Sequence, residues 1–196
     1  MSTEEVLSEV MKDKVFYETS GGGVTVSGGE PLYSFDFTLE LLMGAKERGL
    51  NTAIETSGLT SGENISLISP FVDLFLFDCK ETDPSLHKEY VGADNSLILS
   101  NLELLDSLGA HVILRCPIIP SKNDRREHLL GIAALAERLG CVEAVEIEPY
   151  HPLGEGKAES LGKDYKLRGQ QFPEKEAVES WLDTISENTK KPVRKG

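Results

Sequence analysis

Short apolar runs and longer amphipathic stretches alternate along this chain with little interruption. The opening stretch spaces Val6, Leu7, Val10 and Met11 as a helix would, and Ser2 with Glu5 ahead of it forms a capping box. Residues 24–26 read as a strand leading to a helix near 35–48 that ends at Gly49. A second strand at 52–55 runs through Thr56-Ser57-Gly58 into a short helix near 63–68. Residues 72–78 are apolar enough to be a buried strand, and a helix carrying Leu97, Leu102, Leu104, Leu105 and Leu108 follows. The fourth strand, 112–116, is closed by Pro117 and Pro120, and a helix at 126–139 ends at Gly140. The fifth strand is 145–147; beyond it come a loop rich in Gly and Lys, roughly 152–173, and a last helix with Val178, Trp181, Leu182 and Ile185. Repeated strand–helix units with apolar strands predict an α/β fold, a parallel sheet covered by helices. No linker or low-complexity tract interrupts the pattern, so residues 1–196 are expected to form one domain.

Composition narrows the class. The chain has 196 residues, 39% hydrophobic and 27% charged, as a soluble globular protein has. A formal charge of −13 argues against a nucleic-acid surface, which needs a basic face. The basic run at Lys190, Lys191, Arg194 and Lys195 reads as a solvated tail. No apolar run approaches a membrane span and no signal-peptide pattern opens the chain, so no membrane association is expected. Cys79, Cys116 and Cys141 are too scattered for a disulfide framework or a metal-binding spacing. They read as small buried residues in a reducing, cytoplasmic setting.

The polar residues are where the chain becomes specific. Gly28-Gly29-Glu30-Pro31 follows the first strand, Glu55-Thr56-Ser57 the second, Asp78-Cys79-Lys80 the third, Arg115 ends the fourth, and Tyr150-His151 follows the fifth. Paired glycines let backbone groups approach a ligand where a Cβ would block them. In a (β/α) barrel the C-terminal strand ends meet on one face and build one site. Each of these residues alone has an ordinary explanation. Gly-Gly-Glu-Pro can be a tight turn, Glu55 a helix-cap neighbour, Lys80 a solvated lysine and His151 a satisfied turn histidine. Five coincidences at matching strand ends are harder to dismiss.

With these residues the chain resembles the S-adenosylmethionine radical superfamily, and within it the activating enzymes of glycyl radical enzymes, of the pyruvate formate-lyase activating type. The motifs are Ser27-Gly28-Gly29-Glu30-Pro31, Glu55-Thr56-Ser57-Gly58, Asp78-Cys79-Lys80, Arg115-Cys116-Pro117-Ile118-Ile119-Pro120 with Asn123-Asp124, and Pro149-Tyr150-His151-Pro152-Leu153-Gly154. Lys157 and Tyr165-Lys166-Leu167 fit the family's C-terminal loop, and the likeness runs over nearly the whole chain. The resemblance implies S-adenosylmethionine as cofactor. Its methionine end would sit against Ser27, Gly28 and Gly29, with Glu30 accepting from its ammonium and Lys80 pairing with its carboxylate. Glu55, Thr56 and Asp78 would position it beside a monovalent cation, although the family often has Asp where this chain has Glu55. Cys79 comes with the Asp78-Cys79-Lys80 segment and is not itself a cluster ligand. His151 would touch ribose or adenine, and Arg115 stands at the matching strand end.

The family's chemistry also uses a [4Fe–4S] cluster on a C-x3-C-x2-C loop upstream of the Gly-Gly-Glu strand. No such loop is present in this sequence. The start resembles an internal stretch of longer relatives. The expectation is therefore a start at an internal methionine, with a first βα unit lost from a radical SAM-type partial barrel. About five parallel strands would remain, with an exposed edge strand and apolar surface that favour self-association. The cluster would belong to the full-length enzyme only, and this chain alone would be inactive. The implied partners are a glycyl radical enzyme, such as pyruvate formate-lyase, and a flavodoxin- or ferredoxin-type electron donor, under anaerobic conditions. One alternative is a cluster-less module that binds S-adenosylmethionine or a partner protein without radical chemistry. Another is an ordinary barrel enzyme using Glu30, Asp78, Lys80 and His151 for acid–base work.

Overall fold

The computed structural model describes residues 1–152, 162 and 167–196. Helix α1 (Thr3–Val10) starts at the expected capping box: the Glu5 amide donates to Ser2 Oγ and the Ser2 amide donates to Glu5 Oε2. Helix α2 (Lys14–Ser20) leads into strand β1 (Gly23–Val26), and α3 (Phe35–Glu47) into β2 (Asn51–Thr56). Then follow α4 (Gly62–Ile68), β3 (Leu74–Asp78), α5 (Pro84–Val91), α6 (Ser96–Ser107), β4 (Val112–Ile118), α7 (Arg126–Arg138), β5 (Val142–Pro149), α8 (Lys175–Ser186) and β6 (Val193–Lys195).

Among the described residues the six strands form one sheet in the order β1-β2-β3-β4-β5-β6, every neighbouring pair parallel. A parallel sheet that never reverses direction, joined by right-handed crossovers, carries its helices on one face and curls toward a barrel. Strand alternation agrees. Ile54, Phe75, Phe77, Leu114, Cys116, Val145 and Ile147 are buried among helix residues such as Leu42, Ile65, Leu102, Leu105 and Ile132. The alternate positions Glu55, Leu76, Asp78, Arg115 and Glu148 stay half-buried on the other face. Burying each large aliphatic or aromatic side chain contributes about 1.5–3 kcal/mol, so this helix-facing layer holds the sheet in register. A smaller cluster of Leu7, Leu41, Ala45 and Leu50 packs α1 on α3.

The five expected strands are present, and the tail supplies a sixth. Lys190 to Lys195 do not form a solvated tail throughout: Val193–Lys195 pairs with β5, with Val145↔Val193 and Ile147↔Lys195 in register. The basic side chains still reach outward, and Arg194 donates to Glu146 Oε1 at 2.6 and 2.9 Å. One valine in a charged run carries almost no strand signal. The unpaired edge of β5 decides the pairing. Helix α5 was also not anticipated, although its local signals are complete: Asp83 caps it, Pro84 opens it and Gly92 ends it at φ 99. Strand β1 is an edge, and α2 before it buries no side chain, leaving Val15 and Phe16 exposed. No helix among the described residues is long and apolar enough to cross a membrane.

Candidate functional site

The loop after β1 turns sharply because Gly28 and Gly29 both adopt left-handed φ values, 92 and 62, which L side chains rarely adopt. A Cβ built on either would meet nothing within 4 Å, so the glycines border open space. Glu30 then caps the short 3-10 turn Pro31–Ser34. Its Oε1 accepts from the Leu32 amide (3.2 Å) and Thr56 Oγ1 (2.6 Å). Its Oε2 accepts from the Ser57 amide (2.9 Å) and Ser57 Oγ (2.6 Å). The carboxylate therefore ties the glycine loop to the end of β2. Gly58, at φ 71, lies so close to the Phe77 ring that an added Cβ would stand 2.3 Å from it. Its Cβ-free backbone lets this turn seat on the core.

Ser27, Gly28, Gly29 and Glu30, with Glu55, Thr56 and Ser57 at the end of β2 and Asp78 and Lys80 at and just beyond the end of β3, line one cavity of about 390 Å³. It lies at the C-terminal strand ends, where barrel-type folds place their sites. Lys80 Nζ is 2.7 Å from Asp78 Oδ2. Glu55 accepts from Ser27 Oγ at 2.7 Å and is also bound by the Arg115 guanidinium, which reaches over from β4 and contacts Glu148 of β5 as well. Three carboxylates, one ammonium and a bordering guanidinium can hold both ends of a zwitterion.

Sequence reasoning names Ser57 in the Glu55-Thr56-Ser57 run but assigns it no role; its hydroxyl and amide both orient Glu30. Arg115 stands at the rim, through Glu55, rather than in the cavity lining. His151 is not brought into this cavity. It lines a neighbouring one of about 720 Å³ with Arg115, Glu148, Tyr150 and Phe172. Cys79 does not belong to the lining either: it is buried in the core, because the extended backbone that aims Asp78 and Lys80 at the cavity sends the residue between them the other way. The expected residues Leu153, Gly154, Lys157, Tyr165 and Lys166 lie outside the described residues.

The three residues of the postulated cation position also make contacts within the chain. Glu55 is bound by Arg115, the Thr56 hydroxyl donates to Glu30, and Asp78 pairs with Lys80. The cysteines do not fit an iron–sulfur cluster. Cys79, Cys116 and Cys141 are all buried, and no group of three or more His, Cys, Asp or Glu side chains among the described residues is arranged to hold a metal. Burial pushes the Cys116 thiol up, reinforced by the adjacent Cys79, and burial with nearby Asp106 pushes Cys141 up to about 12.

Comparison with known proteins follows the same lines. The family model of the Radical SAM superfamily matches residues 1–132. The (2S)-3-sulfopropanediol dehydratase activating enzyme of Klebsiella oxytoca is 38% identical over 170 residues, 86% of this chain and 54% of that protein. The pyruvate formate-lyase-activating enzyme of Clostridium pasteurianum is 36% identical over 190 residues, 95% of this chain and 79% of that protein. The chain spans about half the length of several curated relatives it matches. A crystal structure of a domain of pyruvate-formate lyase-activating enzyme from Bacteroides vulgatus superposes with a TM-score of 0.74 at 24% identity, covering 89% of this chain and 99% of that one. That likeness shows a shared fold. The chain belongs to the radical SAM superfamily and, within it, to the activating enzymes of glycyl radical enzymes.

Proposed function

We propose that this chain holds the methionine end of S-adenosylmethionine in the cavity at the ends of β1, β2 and β3, as part of an activase for a glycyl radical enzyme. The observation that carries this reading is the convergence of Gly28-Gly29-Glu30, Glu55, Asp78 and Lys80 on one cavity of mixed charge. Lys80 supplies a point charge for the ligand's carboxylate. Glu30, locked by Thr56 and Ser57, and Asp78 supply the negative side for its ammonium. Arg115 holds Glu55 from outside the cavity and could do the work of the monovalent cation postulated there. His151 and its neighbouring cavity would take the nucleoside end. The bound cofactor is the source of the radical chemistry, while this chain supplies orientation and electrostatics. The partner is a glycyl radical enzyme, pyruvate formate-lyase or one of its kind, with a flavodoxin- or ferredoxin-type donor of electrons.

Titration calorimetry of the chain with S-adenosylmethionine tests the reading. Lys80→Ala is expected to weaken binding by about tenfold to a hundredfold, as loss of a charged hydrogen bond does. Unchanged affinity would remove Lys80 from the site, and no binding to the unaltered chain would sink the assignment.

A second reading is favoured by the burial of the three cysteines and by the lack, among the described residues, of a His, Cys, Asp and Glu group arranged to hold a metal: acting alone, the chain is a cluster-less binding module for S-adenosylmethionine. Anaerobic reconstitution with iron and sulfide should then leave it without the visible absorbance of a four-iron cluster. Stoichiometric cluster formation on this chain would overturn that reading.

A further inference from the structure

Lys80 stands outside the sheet. Strand β3 ends at Asp78, the Cys79 amide donates one last rung to the Arg115 carbonyl at 2.7 Å, and residues 80–83 that follow belong to no helix or strand. The segment is nevertheless tied down by buried polar side chains that do not line the 390 Å³ cavity. Asn123, 3% exposed, donates from Nδ2 to the Lys80 carbonyl at 2.8 Å and to the Pro117 carbonyl at 2.8 Å. Its Oδ1 accepts from the Ile119 amide at 2.7 Å. The amide side chain thus clips the Lys80 backbone to the end of β4. One residue on, the Glu81 side chain is fully buried and accepts from the Thr82 and Asp83 amides at 2.9 and 3.0 Å. Arg125 grips the same carboxylate through both terminal nitrogens, at 3.0 to 3.2 Å. From the other side, Asn95 Nδ2 donates to the Glu81 and Thr82 carbonyls at 3.0 and 3.1 Å.

A fully buried carboxylate is a costly way to make a turn, because desolvation offsets much of what its ion pair contributes. Such a network does, however, hold a connecting segment in a single geometry. Lysine is a flexible four-carbon stem with a point charge at its tip, and small displacements of a positioned group cost a site much of its strength. We infer that Asn123 and Glu81 are positioning residues for Lys80, fixing its backbone so that its ammonium meets the carboxylate of the ligand. This rests on the S-adenosylmethionine reading of the cavity.

The experiment measures affinity for S-adenosylmethionine and for its decarboxylated analogue in the unaltered chain, Asn123→Ala, Glu81→Gln, Lys80→Ala and the Asn123→Ala/Lys80→Ala pair. Asn123→Ala and Glu81→Gln are expected to weaken S-adenosylmethionine binding by about tenfold, the scale of one misplaced charged contact. They should leave the decarboxylated analogue within about twofold, and Asn123→Ala should cost nothing further once Lys80 is gone. Equal losses on both ligands, or additive losses in the paired variant, would overturn the inference, since a merely loosened fold weakens every ligand. If the unaltered chain binds no S-adenosylmethionine, the functional reading falls, and amide hydrogen exchange decides the positioning claim separately. Faster exchange confined to residues 79–83 in Asn123→Ala supports it; unchanged exchange there overturns it.

Discussion

Arg125→Ala should destabilise the fold by about 3–5 kcal/mol, the cost of stripping a buried carboxylate of its cation. Glu81 has no exposed side-chain surface, and Arg125 is the cation whose guanidinium holds both of its oxygens. The two backbone amides that also bind Glu81 cannot replace a full charge. The carboxylate in the variant is left buried without its guanidinium partner, which is the costly arrangement. Urea denaturation at pH 7 checks this. Glu81→Gln placed on top of Arg125→Ala should recover part of the loss, because the amide keeps the shape without the charge. A loss below about 1 kcal/mol for Arg125→Ala would put the pair among ordinary surface salt bridges.

The second large effect is on pH dependence, and it comes from His128 beside the same network. Its ring is fully buried; Nδ1 accepts from the Thr82 amide at 3.1 Å, and Nε2 has no partner among the described residues. Burial, reinforced by the Arg125 guanidinium, lowers its pKa from 6.5 to about 4. The unfolded chain therefore takes up a proton at this residue in a window where the folded chain does not. Stability from neutral His128 is complete above about pH 6.5 and drains away as the pH falls toward about 4. A shift of this size corresponds to roughly 3 kcal/mol across the window. Denaturation at pH 7 and pH 4.5 should show a clear difference in the unaltered chain and a smaller one in His128→Gln. Equal pH dependence in the two chains would mean that His128 is not the group responsible.

Much of the site was legible in the sequence for a simple reason. A polar residue placed just after an apolar run is a local pattern, and parallel strands carry such residues to one edge of the sheet. Gly28-Gly29-Glu30, Glu55-Thr56 and Asp78 with Lys80 were visible on that basis and do line one cavity. Other features depend on contacts between segments far apart in the chain. The β6 pairing rests on the free edge of β5, about fifty residues earlier, and Val193 alone hardly announces it. Cys79 looked like part of a binding motif, but alternation at the end of β3 sends it into the core. Nothing in the sequence marks Glu81, since only the approach of Arg125 and Asn95 buries it.

By itself, the sequence determined the first five strands and most of the helices between them, the residues available at each strand end, and that no C-x3-C-x2-C loop lies within these 196 residues. These follow from periodicity and turn chemistry, which act within a few neighbouring residues. Tertiary structure alone decided which carboxylate meets which cation from a distant segment: Glu55 with Arg115 and Glu81 with Arg125. Charges interact through space and not along the chain, so these pairings exist only once packing of the helix-facing core has set the spacing of the strands.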